Sequence, residues 1–223
     1  MANLTSKALG HATWNDFAEL AEALNGVWGG CWCMSFHVGW NDKTRIAAGN
    51  RADKEARVLA GQAHAALVYD GATCVGWCQF GPPAELPFIK HRKAYDAGVV
   101  AAPDWRITCF FVAKSHRGQG VAAVGLAGAL DLIAGLGGGL VESYPEDVAG
   151  RKVSGSFLHN GTLAMFEAAG FVGERRIGKD RWVVRRVVEG PTRRTSASLS
   201  SPGRSLIIIR LIRPLSPLAT DPN

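Results

Sequence analysis

The sequence has little cysteine, and this scarcity limits the classes of protein it can belong to. Five of its 223 residues are cysteines, too few and too odd a number for a disulfide-stapled fold. They are Cys31, Cys33, Cys74, Cys78 and Cys109. Such usage is typical of a reducing compartment, so we predict a cytoplasmic protein. Hydrophobic residues make up 47% of the chain and charged residues 20%, which excludes wholesale disorder, collagen and a coiled coil.

An uninterrupted membrane-spanning stretch is also lacking. The N-terminal residues 1–9 contain one lysine and no long apolar core, so we predict no signal peptide. Residues 121–141 carry one charge, Asp131, over nearly the length of a membrane span, but glycines at 135 and 137–139 interrupt them. This pattern predicts a buried helix that ends near Ala134, followed by a separate strand.

The basic charge of the chain is concentrated in its C-terminal tail. The formal net charge is +6, and residues 190–223 hold five arginines and one acid, leaving 20 bases and 18 acids in residues 1–189. The prolines and serines of the tail predict a disordered extension. We expect no nucleic-acid partner, because the remainder is nearly neutral. A membrane-surface or partner contact through the apolar residues 206–212 is the alternative, although seven residues are too short to span a bilayer.

Helix and strand patterns alternate along the chain. Apolar spacing predicts helices from Thr13 to Gly26, over 44–60 and near 160–169. The dipeptide Asp70-Gly71 between two apolar runs predicts a hairpin. Strands are predicted at 31–37, 63–69, 73–80, 107–112, 139–144, 172–177 and 181–188. The sum is a mixed sheet with helices on its faces, an α/β or α+β architecture.

The segment from Phe110 to Ala122 is the most informative part of the chain. A buried strand leads into a loop with two glycines, and this loop opens a long apolar helix. The first N–H groups of a helix lack intrahelical partners and carry partial positive charge, so they bind anions, most often phosphate. Arg117 adds a permanently charged donor. The alternative is a glycine-rich turn with a solvated arginine.

Two familiar phosphate-binding loops are excluded here. No Gly-Lys-Ser/Thr follows the glycines, as a Walker loop requires. The third glycine of a dinucleotide fingerprint is missing, since Val121, Ala122 and Ala123 follow Gly120. The ligand is therefore predicted to be neither a nucleoside triphosphate nor NAD.

The Arg-x-x-Gly-x-Ala pattern at 117–122 resembles the acyl-CoA loop of the GNAT N-acetyltransferase superfamily. The stretch from Phe166 to Phe171 is similar to the helix-to-strand ending of that family. This resemblance implies a mostly antiparallel sheet flanked by helices, with residues 1–11 as an N-terminal extension, 12–189 as the acetyltransferase-like domain and 190–223 as the tail. It also implies transfer of an acetyl group from acetyl-CoA to an amine of a small molecule or peptide, without a metal, and it is compatible with a homodimer.

The resemblance assigns roles to individual residues. Backbone groups of Phe110 and Val112 would hold the pantetheine arm as an added strand. Asn160 would contact the pantetheine or, alternatively, cap the helix that follows it. Where the family often has a tyrosine that protonates the leaving thiolate, this chain has Phe166, which lacks the hydroxyl. The pyrophosphate would bind the amides of Arg117, Gly118, Gln119, Gly120, Val121 and Ala122.

Glu142 and Tyr144 are the catalytic candidates. They alternate with Ser143 on a strand that neighbours the loop strand in this fold, so both are expected on one face. Glu142 is predicted as the base, with or without a bridging water, and Tyr144 as the acid that replaces the missing tyrosine. The alternative is that Glu142 only bonds to the loop after its strand. Secondary candidates on the acceptor side are His37, Glu85 and His91.

The remaining cysteines and aromatic residues are predicted to be structural. Cys31-x-Cys33 and Cys74-x3-Cys78 lack the usual zinc spacing and have hydrophobic neighbours, so we predict buried thiols and no metal. Cys109 is predicted to be a small buried residue. Five aromatic residues either line an acceptor pocket or belong to the core, namely Trp32, Trp40, Trp77, Phe80 and Trp105.

Three functions are compatible with these patterns. The first is an acyltransferase that uses acetyl-CoA. The second is a non-catalytic acyl-CoA-binding sensor or partner-binding module, which the phenylalanine at 166 motivates. The third is a protein that binds nucleic acid or a membrane surface through its arginine-containing tail.

Overall fold

Seven strands and five helices make up the part of the chain that the structure describes. This computed structural model describes residues 3–27, 29–39 and 47–191. The strands are β1 (Leu4–Ala8), β2 (His64–Asp70), β3 (Thr73–Gly81), β4 (Trp105–Val112), β5 (Gly138–Ser143), β6 (Val172–Arg176) and β7 (Trp182–Glu189). The helices are α1 (Trp14–Glu22), α2 (Ala47–Leu59), α3 (Arg92–Asp96), α4 (Val121–Gly135) and α5 (Leu163–Ala168). Short 3-10 turns lie at His11–Thr13, Lys114–His116 and Gly155–Leu158.

The strands form one sheet in the order β1-β2-β3-β4-β5-β7-β6. Every neighbouring pair is antiparallel except β4 and β5, which run parallel. The predicted mixed, mostly antiparallel sheet is therefore confirmed. The predicted hairpin is present as well, with Asp70 paired to Thr73 across a two-residue turn.

Each face of the sheet carries its own hydrophobic core. On one face Trp14 and Phe17 of α1 pack against Trp77 and Phe111 of the central strands. On the other face α4 and α5 cover β3, β4, β5 and β7, with Leu126, Ile133 and Phe166 fully buried. Burying a side chain of this size stabilises the fold by roughly 1.5–3 kcal/mol, so both faces hold helices tightly.

Helix α4 is apolar because it is pressed closely onto the sheet. A Cβ built on Gly128 would lie 2.5 Å from Ser6 Oγ, and one on Gly125 would lie 3.3 Å from Cys78 Cβ. These glycines allow the backbone of the helix to approach the strands. Among the described residues, no helix has the length and hydropathy needed to cross a membrane.

Helix α5 ends in a Schellman motif that explains the stretch from Phe166 to Phe171. Gly170 has a φ of 79° and its N–H donates to Glu167 O, while Phe171 N–H donates to Phe166 O. The rings of Phe166 and Phe171 meet edge to face with centroids 4.9 Å apart. Glycine at 170 and phenylalanine at 171 are thus the residues that turn this helix into β6.

Three sequence predictions are wrong in detail. Residues 31–37 form successive turns rather than a strand, and Trp32 and Cys33 have positive φ values of 46° and 47°. The alternation of apolar residues does not mark a strand here, because this loop buries adjacent residues as well as alternate ones. Leu4–Ala8 is an edge strand paired with β2, so the supposed N-terminal extension contributes to the sheet.

The third error concerns α5, which begins at Leu163 rather than near 160 because Thr162 caps it. The predicted helix start at 44–46, Trp40, and the tail from residue 192 lie outside the described residues. The disordered tail and the domain boundaries remain predictions.

Candidate functional site

A bulge in β4 opens the sheet between β4 and β5. Gln79 of β3 pairs with Cys109, but the next residue, Phe80, pairs with Ile107, so Thr108 is an extra residue on β4. The parallel pairing of β4 with β5 ends at Ile107 and Ser143, where Ser143 Oγ donates to Ile107 O over 2.8 Å. Beyond this point a gap separates the two strands.

The backbone of β4 turns its polar groups into this gap at alternate residues. Ala113 N–H donates to Val75 O of β3 over 2.8 Å, so the groups of Phe110 and Val112 point the other way. Phe110 N–H donates to His159 O over 2.6 Å. Arg117 Nε approaches Val112 O at 3.4 Å. The two backbone positions predicted to hold a pantetheine arm therefore do face the gap, and chain atoms occupy both in this structure.

A cavity of about 250 Å³ lies along this edge of β4. Its lining is mostly apolar and comes from β4, the start of α4 and the segment that includes α5. The lining residues are Phe110, Phe111, Val112, Arg117, Ala122, Gly155, Leu158, Gly161, Thr162 and Met165. Sequence reasoning missed the wall formed by residues 155–165, because that stretch has no periodic pattern before α5.

The glycine turn before α4 is open to solvent. Gly118 and Gly120 have φ values of 74° and 83°, and a Cβ built on either meets no atom within 4 Å. Gln119 Nε2 donates to Ser115 O over 2.9 Å and closes the turn from behind. A second cavity of about 320 Å³ is lined by residues 116–118 and 120–123 together with Val112 and Met165.

This turn has the properties of an anion site. The first N–H groups of the 15-residue α4 have no intrahelical partner and lie at the positive end of the helix dipole. The exposed Arg117 adds a guanidinium at the same opening. Backbone and side chain together can bind a phosphate or diphosphate.

The Asn160 side chain links β4 to Arg181 and does not line the cavity. Its Nδ2 donates to Thr108 O over 2.7 Å, and its Oδ1 accepts from Arg181 Nη1 over 2.9 Å. The side chain is buried, and its contact with a pantetheine stays a prediction. The alternative role as a helix cap is wrong, because Thr162 Oγ1 caps α5.

Arg181 is a further residue that sequence reasoning missed. Besides Asn160 it donates to Tyr144 O over 2.9 Å and pairs with Glu146. Burial lowers the pKa of this guanidinium, and the Glu146 charge opposes that effect. Arg181 thereby ties the end of β5 to the segment that fills the gap.

Glu142 and Tyr144 share one face of β5, as their alternation predicts. Tyr144 OH donates to Glu142 Oε1 over 2.6 Å, and Tyr95 OH donates to the same oxygen over 2.7 Å. Arg185 holds the other oxygen, with Nε at 2.7 Å and Nη2 at 2.6 Å. Glu142 is fully buried, and both of its carboxyl oxygens accept hydrogen bonds from these side chains.

The two tyrosine hydroxyls keep their protons in this cluster. Burial raises the pKa of the Tyr144 hydroxyl well above its usual value, and the Glu142 charge raises it further. Burial and the hydrogen bond to Glu142 also raise the pKa of Tyr95. The hydroxyls therefore stay protonated near neutral pH and serve as hydrogen-bond donors to Glu142.

The secondary candidates occupy three separate environments. His37 is fully buried, and burial lowers its pKa to about 2, too low for a base near neutral pH. Glu85 accepts hydrogen bonds from the backbone and ring of His64, with the ring Nδ1 2.9 Å from Oε2. His91 is exposed at the start of α3.

The cysteines and most of the aromatic candidates belong to the cores. All five cysteines are free and buried, and burial raises the pKa of Cys31 to about 11 and that of Cys74 to about 12. Trp32, Trp77 and Phe80 are buried, and Trp105 packs on Phe80. Within the described ranges, no cluster of three or more histidine, cysteine or acidic residues could hold a metal ion.

Solved structures share this fold, although sequence comparisons find no relative. No protein-family model and no curated protein matches the chain. An arylalkylamine N-acetyltransferase-like protein from a mosquito has a TM-score of 0.50 and 12% identity, covering 83% of this chain and 100% of that one.

Two bacterial structures are similar at lower scores. An acetyltransferase of the GNAT family from Streptococcus pneumoniae has 12% identity and a TM-score of 0.46, covering 83% of this chain and 99% of the other. An acetyltransferase from Thermus thermophilus has 17% identity and a TM-score of 0.46, covering 84% and 99%. The mixed seven-stranded sheet, its helices and the similarity to the mosquito structure show that the chain has the fold of the GNAT N-acetyltransferases.

Proposed function

We propose that this protein is an acetyl-CoA-dependent N-acetyltransferase acting on an amine of a small molecule or a peptide. The observation that carries the proposal is the edge of β4 at Phe110 and Val112, which lies beyond the end of the pairing with β5 and continues into the open glycine turn before α4. A strand edge can bind an amide-containing arm, and the anion site that follows it can bind a diphosphate, so the two together suit a ligand that has both.

The diphosphate binds at the turn. The backbone amides from Arg117 to Ala122 surround it, and glycines at 118 and 120 allow close approach because no side chain stands in the way. The pantetheine arm follows β4 and bonds to Val112, once Arg117 Nε turns from Val112 O toward the diphosphate.

The thioester carbonyl binds at Phe110 N–H. In this structure that N–H donates to His159 O, so the acyl oxygen replaces the His159 carbonyl as the acceptor. An N–H fixed in a buried strand stabilises the negative charge that develops on this oxygen during attack. Binding therefore includes a local shift of the segment around His159.

Acetyl transfer by this route is a direct attack. The amine nitrogen forms a bond to the carbonyl carbon and the carbon–sulfur bond breaks. On the way from ammonium to amide the nitrogen loses two protons, and the leaving thiolate receives one. Holding both reactants in attack geometry supplies a large part of the rate enhancement.

We assign the proton transfers to Glu142 and Tyr144. The ammonium first loses one proton to solvent, which gives the free amine. As the amine bonds to the carbonyl carbon, Glu142 takes a second proton from the nitrogen, Tyr144 OH protonates the leaving thiolate, and the proton on Glu142 then returns to Tyr144 along the hydrogen bond that joins them. The net result is one proton moved from nitrogen to sulfur and one released to solvent. The five free thiols suit a reducing compartment such as the cytoplasm.

A non-catalytic acyl-CoA-binding module is the second candidate. Two observations favour it: Phe166 is buried against Phe110 with no hydroxyl to donate, and Glu142 already accepts bonds from Tyr95, Tyr144 and Arg185. Such a protein binds acetyl-CoA without turnover.

One assay separates the two candidates. The full chain is mixed with acetyl-CoA and a panel of primary amines and basic peptides, and free CoA is measured with a thiol reagent. An acetyltransferase releases CoA only with particular amines. Saturable acetyl-CoA binding without amine-dependent release across the panel supports the binding module and contradicts the enzyme.

A further inference from the structure

A buried lysine lies close to the bulge of β4. Lys54, on α2, is 1% exposed, and no carboxylate of the described residues lies within ion-pair distance of its Nζ. Its partners are His37 Nε2 at 3.2 Å and Gln79 Oε1 at 3.0 Å. Burial lowers the pKa of this amine. An apolar side chain would fill the same place at less cost to stability, so the amine needs another explanation.

The contact with Gln79 fixes the orientation of an amide. An amine donates to an amide oxygen in either of its protonation states, so Oε1 of Gln79 faces Lys54 and Nε2 faces away. That Nε2 donates to Thr108 Oγ1 over 3.2 Å. Without Lys54 the amide is free to rotate, and the bond to Thr108 loses its fixed donor.

Thr108 is the extra residue of the β4 bulge, and it is bonded on two sides. Its hydroxyl is held by Gln79, and its carbonyl accepts from Asn160 Nδ2. The bulge decides which backbone groups of β4 face β3 and which face the gap. A continuous set of hydrogen bonds thus runs from α2 through β3 to the residue two positions before Phe110.

We propose that Lys54 is a positioning residue which, through Gln79 and Thr108, holds the β4 bulge so that Phe110 N–H points into the gap. The link from Lys54 to Phe110 stands on the hydrogen bonds alone. Its consequence for the acyl oxygen rests on the proposed function.

The first test measures Phe110 directly in the ligand-free full chain. Amide hydrogen exchange is followed by NMR in the wild type, in Lys54→Met and in the matched control Asn50→Leu. Asn50 is a buried polar residue of the same helix whose Nδ2 bonds to Gly30 O and has no link to β4. Lys54→Met should speed exchange at Phe110 by about two- to tenfold, the effect of one lost hydrogen bond, relative to Ala113 in the same strand.

Two results would overturn the positioning role. One is an unchanged Phe110 exchange rate in Lys54→Met, and the other is an equal increase in Asn50→Leu. If Lys54→Met does not fold, Thr108→Val breaks the same link from its other end. It should then speed exchange at Phe110 by a similar factor, and an unchanged rate contradicts the proposal.

The second test concerns the acyl group. Calorimetry gives the ratio of the dissociation constants for CoA and acetyl-CoA, which reports the bond between Phe110 N–H and the acyl oxygen. Lys54→Met should reduce this ratio about two- to tenfold and leave CoA affinity unchanged. A wild type that binds neither ligand ends the proposed function, while the exchange measurement still decides the role of Lys54. A wild type that binds acetyl-CoA, with the same ratio in Lys54→Met, ends the positioning role alone.

Discussion

At the scale of single residues, one carboxylate oxygen receives hydrogen bonds from two tyrosines. Tyr95 OH and Tyr144 OH lie 2.7 and 2.6 Å from Glu142 Oε1. Each hydroxyl donates a similar hydrogen bond to Glu142, but only Tyr144 is assigned a proton transfer. Comparing variants of the two tyrosines therefore distinguishes support of Glu142 from proton transfer.

Removing each hydroxyl in turn tests that assignment. Tyr144→Phe should lower kcat for acetyl transfer by about 10²–10⁴-fold, the usual contribution of a general acid. Tyr95→Phe should lower it by at most about tenfold, because it weakens only the support of Glu142. Steady-state kinetics with the best amine of the panel measures both. Equal losses in the two variants would show that Tyr144 acts only as a support.

His37 makes a second prediction because it stays neutral when buried. Its pKa is about 2 in the folded protein and about 6.5 in an unfolded chain. Below pH 6.5 the unfolded chain binds a proton that the folded chain does not bind, so the free energy of unfolding falls as pH falls from 6.5 toward 2.

His37 should therefore account for part of the fall in the free energy of unfolding at acidic pH. Between pH 7 and pH 5 the wild type should lose about 2 kcal/mol more stability than His37→Gln. Urea unfolding at the two pH values measures the difference, with the exposed His91→Gln as a control that should match the wild type. The same pH dependence in wild type and His37→Gln would show that His37 is protonated in the folded protein.

At the scale of elements, the turn before α4 and the edge of β4 together form the proposed acetyl-CoA surface. The turn depends on glycine in a left-handed conformation, with φ of 83° at Gly120 and free space beyond its Cα. A large side chain there would fill the proposed place of the diphosphate and leave the sheet intact.

Gly120→Trp should therefore abolish acetyl-CoA binding without unfolding the protein. The matched control is Gly61→Trp, because Gly61 also has a positive φ, 67°, and open space, but lies after α2. Both variants carry a similar backbone strain, so thermal unfolding should shift by similar amounts. Calorimetry should show binding only in Gly61→Trp, and binding retained in Gly120→Trp would rule out the turn as the anion site.

Elements whose residues are close in sequence were predictable, and contacts between distant residues were not. The hairpin at Asp70-Gly71 and the glycine turn before α4 follow from local residue types. By contrast, Asn160 lies 52 residues from Thr108, and Lys54 lies 25 residues from Gln79, so no local pattern indicates these bonds. Burial changed the roles as well, because Asn160 bonds to Thr108 and Arg181 instead of facing the cavity.

The two failures at the strand level have different causes. Leu4–Ala8 was missed because an edge strand with four exposed residues shows no apolar face. The alternating apolar residues of the stretch 31–37 predict a strand. In the structure these residues form turns over the core, where Trp32, Cys33 and Met34 are all buried.

At the scale of the whole molecule, the sheet is opened at one place, between β4 and β5. Strands β1–β4 and strands β5–β7 are each paired antiparallel, and the short parallel pairing of β4 with β5 joins them. The bulge, the gap segment held by Asn160 and Arg181, the cavity and the helix terminus all meet there. A ligand that enters this gap contacts strand edge and helix terminus at once.

The central claim is that acetyl-CoA binds in this gap. An NMR titration of the isotope-labelled full chain with acetyl-CoA tests it most directly. We predict saturable shifts of the amide resonances of Gly118, Gly120 and Val112, and a change at Phe110 that is larger with acetyl-CoA than with CoA. No shifts at millimolar acetyl-CoA, or shifts confined to residues away from β4 and α4, would contradict the account.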